Sequence, residues 1–538
     1  MSDKTNPIDS YIPTPGVVDD EGLLVGWSLE HENKNKKSKP VGFVYDSKQK
    51  DLPETLKPIL HKGPGHLMTI ASTGAGKGVG CIIPALLRHK GPVVVIDPKG
   101  ENYAVTARAR REMGQQVVLL DPFQVAGESE SDCLNPLDLI LKFEGGEIEQ
   151  CKMLAEMIVK PNKSNIDPFW DSRAKQFITA LILYIAESSP PALQNLTELR
   201  YLLNQTKNEF ETVIKLMAKS KMPECRLAAK SIASTEPKVL ASILSTAQYH
   251  TDFMAGSLIS AATARTSFDL EDVILGKPLS IYIVIPPDKI DTSSQLIRLW
   301  IGTLFNLIMM RSHAPEERTL FILDEAAQLG HMSLLTKAIT LLRGYGLQTW
   351  SFWQDLSQLS TLYPNWETLY NNCRIHQNFG ITNAKISKEV SQLTDYPFHR
   401  EILKLDNDEM LLQVAGDEVV IAQRPNYLTD SLFKGQIDVN PFHTKDDDED
   451  LTPQKIQRRY KRRMTRKISN ISETEDLIQQ LKDAIKSAND AAEEAREAKR
   501  KLEKLWENQK SKDTSTSLNL IKNKPKEESE EGEPWTNL

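Results

Sequence analysis

A lysine in a glycine-rich turn, between an apolar run and a helix-like segment, constrains the fold of this chain more than any other feature. The apolar run Leu67–Ala71 leads through Ser72 into Thr73-Gly74-Ala75-Gly76-Lys77-Gly78-Val79, and a helical pattern begins at Val79. In phosphate-binding loops, backbone N–H groups of the turn and of the helix N-terminus surround the anion, while the lysine neutralises the outer phosphates. We therefore predict that Thr73–Val79 bind a nucleotide, with Lys77 as the charged contact.

This match departs from the usual motif at two positions. Ala71 stands where the first glycine is expected, and Gly78 stands where a magnesium-binding Ser or Thr is expected. A glycine-rich turn without a ligand is the simpler interpretation of the stretch taken alone. Other parts of the sequence have to decide between the two.

Composition excludes several classes of protein. The 538 residues suffice for two to four domains at about 100–200 residues each. A net charge of −7 argues against a generally basic nucleic-acid coat, although not against a locally basic channel. No run reaches the ~18 apolar residues of a membrane span, and the N-terminus lacks a signal-peptide pattern. Five dispersed cysteines and ten scattered histidines predict a reduced, cytosolic protein without a His- or Cys-based metal site.

A second motif supports nucleotide hydrolysis. The apolar strand pattern Thr319–Leu323 ends in Asp324 and Glu325, as in a Walker B motif. There the first carboxylate organises magnesium, often through water, and the second polarises the attacking water. A buried strand meeting an acid-capped helix is the simpler alternative. Because both motifs occur in the expected order on predicted strands of one sheet, an NTPase is favoured.

Three further positions fit roles at such a site. Arg343, in a turn before the next strand, is a candidate finger for a neighbouring subunit's γ-phosphate; the alternative is an exposed arginine at a helix end. Gln354, directly after the strand pattern Thr349–Trp353, is a candidate sensor of the γ-phosphate. The segment Asp97–Glu101 ends another strand and either faces the ligand crevice or forms a Pro-Gly turn that caps a helix.

Short apolar runs alternate with helical segments on both sides of a long helical block, which predicts an α/β fold with a parallel sheet. Strands are predicted at 67–71, 93–97, 117–121, 279–285, 320–324, 348–353 and 375–379, and a hairpin turned by Gly416 at 410–414 and 419–422. The pattern divides the chain into an N-terminal arm (1–64), a nucleotide-binding core (65–132 and 249–435), an all-α insertion (133–248), a charged linker with a helical or coiled-coil tail (436–510), and a disordered tail (511–538).

The C-terminal region has two features of its own. Eight Lys or Arg residues lie within Lys455–Lys467, which indicates either a solvated charge run or a surface for DNA phosphates or anionic lipid. Apolar residues from Leu477 to Leu505 recur in steps of four and three, mostly as alanine. This seam fits a weak coiled coil or a solvated single helix.

Several of these segments together resemble the coupling ATPases of type IV secretion and conjugation, the TraG class. The resemblance rests on Thr73–Leu87, Asp97–Glu101, Phe169–Tyr184, Asp324-Glu325-Ala326 and Gln354–Leu359, and it covers roughly residues 40–430. Gly78 is this family's own variant of the loop. The resemblance implies a RecA-like P-loop core with an inserted all-α domain.

The resemblance also implies a function. It predicts an ATPase, using ATP and Mg²⁺, that recruits relaxase-bound single-stranded DNA and pumps it into the secretion channel as a homo-hexamer. Lys77, Glu325, Arg343 and Gln354 would be catalytic, Thr73–Val79 would bind ATP, and Asp324 would hold the metal. Since such proteins usually begin with a membrane anchor that is not found in this sequence, a separate anchoring subunit is expected to hold the chain peripherally at the cytoplasmic face of the bacterial plasma membrane.

Two other functions remain open at this stage. A soluble DNA translocase of the HerA/FtsK type shares the core, but the helical insertion and the Phe169–Tyr184 resemblance weigh against it. A substrate adaptor that binds nucleotide without hydrolysis is the other, and the intact Lys77, Asp324 and Glu325 weigh against a dead site. Gly78 predicts weak basal turnover.

Overall fold

The structure is a computed structural model of the chain. It describes residues 14–15, 18, 21–28, 55–143, 145–160, 168–415 and 419–443, together with most of 479–505. Residues 1–456 and 457–538 form two separate units.

The first unit is built on a mixed sheet of twelve described strands. In chain order, these are β1 (Thr14–Pro15), β2 (Leu23–Ser28), β3 (Thr55–His61), β4 (His66–Ala71), β5 (Val93–Ile96), β6 (Gln116–Leu120), β7 (Leu279–Ile283), β8 (Thr319–Leu323), β9 (Leu347–Trp353), β10 (Cys373–Phe379), β11 (Glu409–Val414) and β12 (Val420–Gln423). Across the sheet, the order is β1-β3-β2-β12-β11-β10-β4-β9-β8-β5-β7-β6.

The central strands are parallel and buried on both faces. From β10 to β6, every neighbouring pair is parallel. All side chains of β5, β8 and β9 are buried, which explains their continuous runs of apolar residues. The remaining strands, apart from the short β1, pair antiparallel at the other side of the sheet. The predicted strands of the core are all present, with ends that differ by one or two residues.

The segment predicted to be an N-terminal arm contributes to this sheet. Strands β2 and β3 pair with each other, and β2 also pairs with β12. The buried indole of Trp27 donates a hydrogen bond from Nε1 to Asp430 Oδ2 at 2.9 Å. Burial raises the pKa of Asp430 to about 6. The sequence showed no strong periodicity here because these strands are short, and the second partner of β2, strand β12, lies some 400 residues away.

The helices of the first unit cover both faces of the sheet and form the long insertion. They are α1 (Ile83–Arg88), α2 (Glu101–Glu112), α3 (Asp138–Leu141), α4 (Glu147–Ile158), α5 (Phe169–Ser188), α6 (Leu196–Leu203), α7 (Lys207–Met217), α8 (Pro223–Ala233), α9 (Pro237–Thr251), α10 (Ser257–Thr263), α11 (Leu270–Leu275), α12 (Pro287–Met309), α13 (Ser333–Leu341), α14 (Leu356–Leu362), α15 (Trp366–Asn372), α16 (Ala384–Thr394) and α17 (His399–Ile402). Short π- or 3-10-helical turns occur at Gly78–Ile82, Pro191–Leu193, Asp252–Met254, Ala326–Leu329, Leu342–Tyr345 and Ser431–Phe433.

Between β6 and β7, the described residues contain helices and no strand. The helical block extends past residue 248, because α10 and α11 follow before β7 begins. Within it, the buried His250 lies 2.9 Å from Asp171 through Nε2 and Oδ1, which ties α9 to α5. Asp171 of the Phe169–Tyr184 segment therefore has a packing role inside the helical block.

Helix α12 joins this helical block to the sheet. Trp300 Nε1 donates to Leu134 O at 2.9 Å, and Arg298 donates to Leu329 O and His331 O at 2.7 and 2.6 Å. Gly302 allows the close approach of Met157 from α4, since an added Cβ would lie 3.1 Å from its side chain. Phe305 packs on Phe321 of β8, with ring centroids 4.6 Å apart. One buried helix therefore contacts both the insertion and the strand that precedes Asp324.

In the second unit, the described residues between 479 and 505 are helical and exposed, including Leu502 and Leu505. Gly416, the basic run 455–467, the first half of the seam and the tail after 505 lie outside the described residues. The coiled coil and the limits of the five predicted segments remain predictions. Within the described residues, no helix has the length and apolarity needed to span a bilayer, and no group of three or more His, Cys, Asp or Glu is placed to hold a metal.

Candidate nucleotide site

The glycine-rich loop lies at the carboxyl end of β4, at the edge of the sheet where α/β proteins bind their ligands. Gly74 and Gly76 have φ values of +74° and +84°, a left-handed conformation that favours glycine. The loop closes with Ala75 N donating to Ser72 O at 3.2 Å and Gly80 N to Gly76 O at 2.9 Å. Ser72 Oγ also donates to Gly380 O, beyond β10, at 2.6 Å. The sequence-predicted turn is therefore a defined loop anchored to the neighbouring strand.

Three of the predicted catalytic residues meet beside this loop. Lys77 Nζ lies 2.7 Å from Glu325 Oε1, and Gln354 Nε2 donates to Glu325 Oε2 at 2.9 Å. The three residues follow β4, β8 and β9, which are adjacent parallel strands, so their carboxyl ends lie together. The sheet order thus brings together residues that are up to 277 positions apart in the sequence.

Glu325 is held in an unusual backbone conformation. Its φ and ψ are 56° and 53°, in the left-handed region that costs a non-glycine residue about 1–3 kcal/mol. This conformation ends β8 abruptly and starts the short helical turn Ala326–Leu329. The side chain contacts both Lys77 and Gln354, with each carboxylate oxygen engaged by one of them. Strain of this kind is found where a side chain is held for function.

Asp324 has an unused acceptor. Its Oδ1 is buried and has no hydrogen-bond partner among the described residues. Burial raises the pKa of Asp324 to about 6, and the neighbouring Lys77 opposes this rise. A buried carboxylate oxygen without a donor is suited to a cation, because oxygen is the ligand that Mg²⁺ prefers. The residue fits the metal-holding role predicted for it.

The segment Asp97–Glu101 combines both predicted interpretations. Asp97 is buried and accepts from Tyr103 N at 2.9 Å and from Asn102 Nδ2 at 3.2 Å, so it caps the start of α2. Burial raises the pKa of Asp97 to about 7. Gly100, with a φ of +69°, completes the turn. The next residue, Glu101, faces the phosphate-binding loop, and a Cβ added to Gly78 would lie 3.2 Å from Glu101 Oε1.

The structure does not bring Arg343 to this cluster within one chain. Arg343 is exposed in the turn Leu342–Tyr345, which precedes β9, whereas Gln354 follows the same strand. The seven residues of β9 span about 20 Å. Arg343 therefore lies at the opposite edge of the sheet from Lys77, and its role toward another subunit remains a prediction.

Sequence reasoning missed one residue at the site, Arg424, which directly follows β12. Its Nη1 donates to Ala75 O at 2.6 Å and to Gly76 O at 3.3 Å, and its guanidinium lies 4.2 Å from the ring centroid of Phe379. The side chain is only 9% exposed, and burial lowers its pKa. In the sequence, Arg424 is a single arginine after a strand, without a motif that would distinguish it.

Comparison with known proteins gives a consistent family. Residues 30–395 match the family described as Type IV secretory system Conjugative DNA transfer. The conjugal transfer protein TraG of Escherichia coli is 25% identical over 354 residues, which cover 62% of this chain and 55% of TraG. The protein VirD4 of Agrobacterium fabrum is 28% identical over 304 residues, which cover 56% and 44% of the two chains. The chain thus spans about half the length of the curated relatives it matches.

Solved structures show the same fold. The bacterial conjugative coupling protein TrwB, in an unbound form lacking its first 70 residues, superposes with a TM-score of 0.54 at 17% identity, covering 68% of this chain and 87% of that one. TrwB in complex with ADP and Mg²⁺ gives a TM-score of 0.53 at 17% identity, covering 67% and 85%. The predicted RecA-like P-loop NTPase fold is confirmed. Because the family match covers most of the described core, this chain belongs to the type IV secretory conjugative DNA-transfer family, the coupling proteins of the TraG and VirD4 class.

Proposed function

We propose that this chain is the ATP-hydrolysing coupling protein of a conjugative type IV secretion system. The observation that carries the proposal is the contact series Lys77–Glu325–Gln354 at the end of three adjacent parallel strands. P-loop ATPases use a lysine to bind the phosphates and a residue that positions the attacking water. Lys77 and Glu325 supply these two groups, and Gln354 reaches the same carboxylate. The solved TrwB structures with ADP and Mg²⁺ or with an ATP analogue support nucleotide binding by this fold.

The geometry also suggests how the residues act in sequence. Lys77 pairs with one carboxylate oxygen of Glu325, and Gln354 donates to the other. Phosphate oxygens bound by the amides of Thr73–Val79 would draw Lys77 away from Glu325. The carboxylate is then available to accept a proton from water, while Gln354 keeps it aligned. Hydrolysis and loss of the γ-phosphate let Lys77 return, so Gln354 senses the change through Glu325.

Asp324 is the residue that would hold magnesium, through its buried Oδ1 that has no partner among the described residues. When bound, Mg²⁺ neutralises charge on the β- and γ-phosphates. Glu325 is the next residue in the chain but is not assigned as a metal ligand, since its two carboxylate oxygens already contact Lys77 and Gln354. This division assigns metal binding to one carboxylate and water activation to the next.

We further propose that the chain forms a homo-hexameric ring, in which Arg343 of one subunit approaches the nucleotide of the next. The exposure of Arg343, at the sheet edge opposite Lys77, supports a contact between subunits. The cargo would be relaxase-bound single-stranded DNA delivered to secretion-channel components, a proposal in keeping with the family description of conjugative DNA transfer. A separate membrane-anchoring subunit would hold the ring at the inner face of the plasma membrane.

The test is ATP hydrolysis by the purified full chain, with and without single-stranded DNA. We expect weak basal turnover that DNA stimulates and that Lys77→Ala abolishes. Lys385→Ala is the matched control, because Lys385 is exposed on α16 and its ammonium group lies near Glu389. ATP binding without turnover in the presence of DNA, under conditions where rings form, would instead support the substrate adaptor. DNA-independent turnover unaffected by Lys77→Ala would refute the proposed site.

A further inference from the structure

Glu101 lies next to Gly78, the position of the loop at which the usual motif has a hydroxyl side chain. An ordinary phosphate-binding loop has a hydroxyl side chain at this position, and the hydroxyl binds Mg²⁺. Gly78 has no side chain, but a carboxylate oxygen of Glu101 lies 3.2 Å from where its Cβ would be. The space that a Ser or Thr side chain would enter is therefore bordered by an oxygen from another helix.

We propose that Glu101 replaces the missing hydroxyl, so that Glu101 and Asp324 together hold the magnesium of the bound nucleotide. This inference rests on the proposed ATP-dependent function and identifies a ligand that the motif at 73–79 does not contain. Two carboxylates with the phosphates of the substrate are a usual protein environment for Mg²⁺. The proposal accordingly does not require a third protein ligand.

The local fold holds Glu101 in this place. Asp97 caps the first turn of α2 through Tyr103 N, and Gly100 adopts the left-handed conformation that brings the chain into the helix. Glu101 is thus the first residue of α2, at a helix end stabilised by the buried Asp97 rather than by Glu101 itself. Its carboxylate is therefore not needed as the cap and remains available to a ligand.

The charges at the site also favour a cation. Glu101, Asp324 and Glu325 are three carboxylates grouped around the loop, and Lys77 is paired with Glu325. The nucleotide adds further negative charge. Arg424 donates to loop carbonyls from the other side. A divalent ion between Glu101 and Asp324 would offset this excess of negative charge in the bound state.

The inference is tested by the metal dependence of nucleotide affinity, measured on the full chain with a fluorescent, non-hydrolysable ATP analogue in Mg²⁺ and in EDTA. The dissociation constant in EDTA divided by the dissociation constant in Mg²⁺ measures how much the metal contributes to affinity, and the measurement involves no turnover. The variants are Glu101→Ala, the pair Gly78→Ser with Glu101→Ala, and Glu112→Ala. Glu112 is the matched control, because it is an exposed glutamate at the far end of α2 that pairs with Arg108.

We expect Glu101→Ala to lower this ratio by about tenfold or more, the scale on which metal sites respond to lost ligand interactions. Affinity in EDTA should stay equal or improve, because a negative charge near the phosphates is removed. Adding Gly78→Ser should restore part of the ratio, since a hydroxyl returns to the usual position and Glu101 no longer crowds it. Gly78 does not adopt a positive φ, so serine suits its backbone.

Three results would overturn the inference. The first is that Glu101→Ala has the same ratio of dissociation constants as Glu112→Ala. The second is that Glu101→Ala loses as much affinity in EDTA as in Mg²⁺. The third is that adding Gly78→Ser to Glu101→Ala does not raise the ratio again. Failure of the proposed function is a different result, because the unaltered chain would then bind the analogue neither with Mg²⁺ nor without it.

Discussion

Replacing Arg424 with lysine should weaken nucleotide binding while leaving the fold intact. The guanidinium donates to Ala75 O and Gly76 O, two carbonyls of the loop whose amides are expected to face the phosphates. By holding the carbonyls away from the ligand, Arg424 keeps these peptide units in the binding orientation. Both hydrogen bonds come from the single nitrogen Nη1, so lysine can keep part of this contact, but it has no planar guanidinium to stack on Phe379 at the same time.

The magnitude follows from the contacts that are lost. A hydrogen bond from a charged donor contributes about 1.5–3 kcal/mol, and a partly desolvated cation–π contact about 1–2 kcal/mol. Lysine recovers part of both contributions. We therefore take the binding conformation of the loop to lose about 2 kcal/mol of stabilising free energy. Since about 1.4 kcal/mol corresponds to a tenfold change, the dissociation constant should rise about 30-fold.

The assay is titration with a fluorescent nucleotide, together with thermal unfolding of the nucleotide-free protein. Arg311→Lys is the matched control. Arg311 is also buried and donates to backbone carbonyls, at Val273 and Ile274, but it does not contact the loop. Arg311→Lys should lower thermal stability and leave the dissociation constant unchanged. Equal losses of affinity in both variants, or a change below about threefold in Arg424→Lys, would refute the positioning role.

Four further predictions follow from the site. Glu325→Gln should still bind ATP but lose turnover, because an amide cannot accept the proton of water; hydrolysis at the parent rate would contradict the assignment. Arg343→Ala should lower the ATPase rate of assembled rings and leave nucleotide binding by isolated chains unchanged, and equal rates in rings would rule out the finger. Gly100→Ala should destabilise the protein by about 1 kcal/mol, measured by denaturant unfolding, since its left-handed φ disfavours alanine. The raised pKa of Asp97, about 7 against an unfolded value of 3.8, means that the native state binds more protons than the unfolded state between these values. Stability contributed by this group should therefore fall as pH rises from about 4 to 7, and Asp97→Asn should flatten that slope; an unchanged slope in Asp97→Asn would contradict the assignment.

The sequence predicted those parts of the fold that depend on neighbours along the chain. Strands such as Val93–Ile96 are continuous apolar runs because they are covered on both faces, and the pattern shows this directly. Helix patterns placed an all-α insertion at 133–248, and in the structure α10 and α11 follow it before β7 begins. The loop at Thr73–Val79 and the acids after β8 were recognisable because the residues that define each motif are consecutive in the sequence.

The cluster formed by Lys77, Glu325 and Gln354 could be predicted only in part. Lys77 and Glu325 were identified from local motifs and Gln354 from its position directly after a predicted strand, and the adjacency of β4, β8 and β9 brings the three into contact. Arg343 was identified from its position before β9, and the structure separates it from the cluster by the length of that strand. Its role toward a nucleotide of another subunit remains a prediction.

The sequence by itself determined the α/β core, the nucleotide loop and the acidic strand end, because each is encoded by residues close together in the chain. Only the tertiary structure decided that Arg424 supports the loop, that β2 and β3 complete the sheet, and that Glu101 borders Gly78. These relations join segments from 23 to several hundred residues apart. No periodicity or spacing records them, because they are fixed by strand order and by the packing of side chains around buried charge.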